Sequence, residues 1–139
     1  MIYKMKYIFV FVLVSFGFIA CNCGKNVAKD SGLTTEQKEL ILLKKEMPTV
    51  PVCIFDKIAT FQKEPKANPP RAVYQYEYKG STVYYITAPC CDIYPELFDT
   101  NCNLLCAPDG GFTGKGDGKC VDFHKLKSNK KLIWKDNRK

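Results

Sequence analysis

Six cysteines, Cys53, Cys90, Cys91, Cys102, Cys106 and Cys120, are the residues of this chain best placed to do chemistry. Thiols can bind zinc, attack a substrate or pair. A structural zinc site wants two close ligand pairs. Cys102 and Cys106 supply one such spacing, there is no second close pair of that kind, and His124 is the only histidine. A nucleophilic cysteine needs a free thiolate. Pairing fits best: an even set of cysteines in a short exported chain reads as a disulfide framework. Spacing alone leaves the connectivity open. Adjacent Cys90 and Cys91 are expected to bond to different partners. Each bridge is worth about 2–4 kcal/mol through its constraint on the unfolded chain.

The second group with chemical potential is the segment from Pro108 to Cys120, which contains Gly110, Gly111, Gly114, Gly116 and Gly118. It is not a phosphate loop. Gly110 to Gly114-Lys115 is one residue short of the required spacing, Gly116 replaces the hydroxyl residue, and no helix follows. Asp109, Asp117 and Asp122 raise the question of calcium, which takes six to eight oxygens. The calcium-loop spacing is absent, so these aspartates are expected to cap turns, with calcium or a small ligand as the alternative reading. The segment is expected to be an irregular loop pinned by Cys106 and Cys120. Phe112 and Lys115 would then be displayed between cysteines as an interaction surface.

Catalysis has thin support. A Ser-His-Asp set would have to use His124, which lies among basic residues, and no carboxylate pair stands out by spacing. The expectation is a protein that is not an enzyme and uses no cofactor. The formal charge is +7. Lys125, Lys127, Lys130, Lys131 and Lys135 crowd the C-terminal segment around Trp134. Such a segment suits anionic lipid headgroups or an acidic partner. It would also attract nucleic acid, but an exported protein would not meet it, so nucleic acid is not expected as a partner.

The elements that must position these residues follow from periodicity. Thr34 with Gln37 has capping-box spacing. Leu40, Ile41, Leu43 and Met47 continue an amphipathic helix that Pro48 ends, which sets residues 34–48 apart as one element. Pro51 opens a second helix, with Ile54, Ile58 and Phe61 on one stripe. The period then changes to two. Arg71 to Tyr78 and Ser81 to Thr87 read as strands joined by a Lys79-Gly80 turn. Tyr74, Tyr76 and Tyr78 lie on one face and are expected to cover the helix. Tyr94 to Cys106 reads as a second hairpin that turns at Asp99 to Asn103. Leu132-Ile133-Trp134 suggests an edge strand or final clasp within the basic segment 124–139. Residues 49–123 therefore form a cysteine-rich α+β domain: a helix on an antiparallel sheet of three to four strands, plus the glycine-rich loop.

The N-terminus supplies the address. Lys4 and Lys6 precede an uncharged apolar run over residues 7–20, too short for a membrane span. Phe18-Ile19-Ala20-Cys21 ends it and resembles a bacterial lipoprotein signal, with Phe18 where leucine is usual. That resemblance implies lipidation of Cys21 as the first residue of the mature protein. Residues 21–33 then form a flexible tether, in which Cys23 is odd. The expected location is the bacterial cell membrane or outer membrane, held by lipid, with an envelope protein as partner.

Further along, Cys90-Cys91-Asp92, Cys106-Ala107-Pro108-Asp109-Gly110-Gly111 and Gly116-Asp117-Gly118-Lys119-Cys120 form a signature. Over residues 50–123 it resembles a domain family of unknown function found in small bacterial lipoproteins. In that family the position of Cys102 often carries glycine and that of Val121 proline. The resemblance implies no activity, substrate or catalytic residue.

Overall fold

The computed structural model describes residues 32–90 and 92–139. The expected signal segment, Cys21, Cys23, nearly all of the expected tether and Cys91 lie outside the described residues. Gly32–Lys139 is one compact unit. Its elements run α1 (Thr35–Glu46), α2 (Val52–Lys63), β1 (Ala72–Tyr78), β2 (Ser81–Ile86), β3 (Glu96–Asp99), β4 (Leu104–Cys106), α3 (Phe123–Leu126) and β5 (Ser128–Lys135). The fold is α+β, with the strands in one antiparallel sheet ordered β4-β3-β2-β1-β5.

Local chemistry sets the elements. Thr34 Oγ1 accepts from the Gln37 amide at 3.2 Å, and Gln37 Oε1 accepts from the Thr34 amide at 2.9 Å, which closes the capping box of α1. Leu40, Leu43 and Met47 of this helix lean on the core around α2, while Ile41 and Leu42 stay exposed. In α2 the predicted stripe is buried: Ile54, Ile58 and Phe61, joined by Phe55. The β1–β2 hairpin turns through Lys79 (φ 51°) and Gly80 (φ 77°). Positive φ at both central residues gives the turn twist that matches paired strands.

The sheet is covered on both faces, because its strands alternate two apolar sets. Val73, Tyr84, Ile86 and Phe98 join Ile133 and Trp134 against α2. Tyr76, Tyr78, Val83 and Leu97 face the other way and close over Phe123, Cys106 and Cys120. Here the structure departs from the sequence reading. The tyrosine row forms core, but against Phe123 of α3 rather than against the helix. The sheet also has five strands, not three to four. The added one is β5, built from the basic C-terminal segment. It pairs with β1 through two register shifts, and an edge strand of this kind does not require alternating apolar residues.

Two bridges join pairs of described cysteines. Cys53–Cys102 ties the start of α2 to the β3–β4 turn, and Cys106–Cys120 closes the glycine-rich segment. Cys90 is also disulfide-bonded. Cys102 has φ 69°, the left-handed region where glycine is at ease. The backbone there would suit glycine, and in this chain the position carries a bridge. Val121 is 74% exposed and stands outside the core.

The chain end is a clasp. Arg138 donates to the Phe61, Gln62 and Glu64 carbonyls at 2.8–3.0 Å, capping the C-terminus of α2. Its Nε and Nη2 fork onto the buried Asp136 carboxylate at 2.9 and 2.7 Å. This guanidinium holds the Asp136 carboxyl below the usual aspartate range. A depressed folded pKa adds stability above the unfolded pKa, and that stability is lost as pH falls through the folded value. Arg138→Ala should therefore cost about 2–4 kcal/mol at neutral pH in urea denaturation, since it strands a buried carboxylate. The wild type should lose this increment below about pH 4, and the variant should show a flatter acid limb.

Candidate functional site

The disulfide-closed segment is a built loop. The Ala107 carbonyl accepts from the Asp117 amide at 2.9 Å, and the Gly110 carbonyl accepts from the Gly116 amide at 3.1 Å. These bonds bring two stretches of backbone together at Gly116 (φ 65°), where an added Cβ would lie 1.9 Å from the Ala107 oxygen. Only glycine fits there. Gly111 has a similar cause: the Tyr94 ring lies over it, 2.6 Å from where a Cβ would stand.

The next residue, Phe112, is 97% exposed, and Lys115 is exposed beside it. Tyr94 also lines a groove of about 450 Å³ along the β4 edge, together with Ile93, Leu104, Leu105 and Lys119. Ile93, Tyr94, Leu104 and Leu105 are all at least 37% exposed. Tyr94 thus joins the glycine-rich loop, at Gly111, to the groove along β4. Unlike β5, this edge carries no lysine in its strand and leaves two leucines in solvent. Natural sheets usually blunt such an edge.

The three aspartates are engaged separately. Asp109 accepts from the Tyr85 hydroxyl at 3.0 Å and from His124 Nε2 at 2.5 Å. Asp122 takes Lys79 Nζ at 2.8 Å and the Tyr78 hydroxyl. Asp117 caps the Lys119 amide at 3.1 Å. The capping expectation thus fits Asp117, whereas Asp109 and Asp122 bind side chains across the fold. Among the described residues no group of three or more His, Cys, Asp or Glu side chains could hold a metal ion.

Sequence reading missed the network around His124. Lys127 Nζ donates to His124 Nδ1 at 2.8 Å, and His124 Nε2 meets Asp109. An imidazole that accepts at Nδ1 and donates at Nε2 is the neutral Nε2–H tautomer, assigned from this network. Lys127 lies over Tyr76, Phe123 and Tyr85, 5.0–5.9 Å from their ring centroids. Burial pushes its amine pKa down, and burial beside Asp109 pushes the Tyr85 hydroxyl up. The arrangement fastens the loop, through Asp109, to α3 and to the tyrosine face. The i, i+3 spacing of His124 and Lys127 was visible in the sequence; a partner fifteen residues earlier was not.

No curated protein and no solved structure matches this chain. A family profile does match, over residues 59–136, which is more than half of the chain and includes β5. The chain belongs to that family, a domain of unknown function designated DUF6970.

Proposed function

We propose that the protein is a lipid-anchored binding module of the bacterial cell envelope, inhibitor-like in design, with the Cys106–Cys120 loop as its recognition element. The observation that carries this reading is Phe112, 97% exposed on a loop fixed by a disulfide at its base and by Asp109 near its start. A rigid loop loses little freedom on binding. An aromatic side chain at its tip suits the anchor role that dominates interface energies. Tyr94, Leu104 and Leu105 extend the contact to the β4 edge.

The anchor would be acylated Cys21. Each buried methylene contributes about 0.8 kcal/mol, and two or three chains hold a protein on a bilayer. The tether would keep the loop near its partner at raised effective concentration.

Phe112→Ala with Lys115→Ala is the test, read by quantitative cross-linking in native membranes. A hot-spot loss of about 2 kcal/mol corresponds to roughly a 30-fold fall in capture of the specific partner. The melting temperature should stay unchanged, because both side chains are exposed. Undiminished capture would remove this loop from the proposal.

A further inference from the structure

We infer that the β5 edge is a docking surface for an anionic phospholipid membrane. Lys125, Lys130, Lys131 and Lys135 are all exposed along this edge and the turn before it. Two of the neighbouring acids are neutralised by other cations: Asp122 by Lys79 and Asp136 by Arg138. Glu77 accepts from the neutral Asn129 amide at 2.7 Å and keeps its charge. The four exposed lysines outnumber it, so this edge of the sheet keeps a net positive charge, which suits negatively charged headgroups.

Lysines on an edge strand also serve simply to block sheet extension. That role does not account for Leu126 and Leu132, which stand between the lysines at 47% and 49% exposure. Apolar side chains set among lysines are the composition of a membrane-interface surface. An acidic soluble protein would answer the charge but has less use for the leucines.

The path of the chain agrees. Thr35 and Glu36, at the start of α1, line the same pocket as Trp134, Lys135, Asp136 and Arg138. The N-terminal segment thus joins the domain at the β5 end. Residues 22–33 span at most about 40 Å when extended, so β5 stays within reach of whatever holds Cys21. Strand order puts β4 at the opposite edge, roughly 19 Å away at about 4.8 Å per strand spacing. With β5 on the lipid, the Tyr94–Leu105 surface faces away from it. The reach from Cys21 and this orientation rest on the proposed function; the charge and leucine pattern at β5 does not.

The test is lysine footprinting of the full-length protein in nanodiscs, with phosphatidylglycerol compared against phosphatidylcholine. Acetylation of Lys130, Lys131 and Lys135 should be at least about tenfold slower on the anionic discs, and 0.5 M salt should abolish the protection. Lys115 and Lys119 should react equally on both lipids. Leu132→Ser should weaken the protection without changing the melting temperature. Equal rates at the β5 lysines on the two lipids would overturn the inference. So would protection of Lys115 together with them, or protection insensitive to salt. The partner-capture experiment with the Phe112 variant is independent of all these outcomes.

Discussion

Replacing Cys53 and Cys102 together by alanine is expected to cost about 4 kcal/mol. The bridge spans a sequence separation of 49, and the chain-entropy cost of opening a loop of that length is of this order. A domain of this size has a net stability of only about 5–15 kcal/mol, so the loss removes roughly a quarter of it or more. The cause lies mainly in the unfolded chain. Removing the constraint lets the denatured state expand, so the urea m-value should rise while the midpoint falls. The native contacts of Ile54, Ile58 and Phe61 should survive, because they belong to the α2 stripe and not to the bridge. A loss below about 1 kcal/mol would mean that the bridge only decorates a core that is already sufficient.

The second large effect is expected at Phe123. It is fully buried and anchors the face of the sheet opposite α2. Its ring meets Tyr76 and Tyr78 edge-on at 5.7 and 5.3 Å and stacks on Tyr85 at 5.7 Å. Phe123→Ala should cost about 3–5 kcal/mol, from lost transfer energy and the cavity left behind. The near-ultraviolet signal of the tyrosines should weaken, since three of them lose their packing partner. Phe123→Leu should recover most of the stability, because most of the volume is kept. Damage should also reach the recognition loop: His124 and Lys127 flank Phe123 and hold Asp109. Faster hydrogen exchange at residues 107–117 in the alanine variant would report this.

These two effects separate what was legible in the sequence from what was not. The α2 stripe, the Lys79-Gly80 turn and the Thr34–Gln37 box are local patterns, and each follows from period or capping chemistry. An irregular glycine loop pinned at Cys106 and Cys120 was readable, because the glycines between them cannot form regular structure; that these two cysteines pair with each other came from the fold. The Cys53–Cys102 bridge was not, since pairing depends on where a helix start meets a hairpin turn. The second core was half visible. The tyrosine row announced a buried face, but its lid is a four-residue helix with no periodic signature. β5 was half visible: Leu132-Ile133-Trp134 suggested an edge strand, but Ser128-Asn129-Lys130-Lys131 carries no alternation and the strand pairs through register shifts. The Arg138 clasp left no trace, because its partners on α2 are backbone carbonyls. Of the candidate site, Phe112 and Lys115 are exposed on the loop. The link from the loop through Tyr94 to β4 needed the packing of the Tyr94 ring over Gly111, which only the fold provides.

We propose an exported, lipid-held chain that presents a disulfide-stapled scaffold. Intact-mass analysis with non-reducing peptide mapping of the protein from native membranes tests it most directly. The expected result is an N-terminal peptide that begins at Cys21 and carries the mass of two or three acyl chains, with Cys53–Cys102 and Cys106–Cys120 peptides recovered as cross-linked pairs. An unprocessed Met1 terminus, or free thiols at those four cysteines, would contradict it.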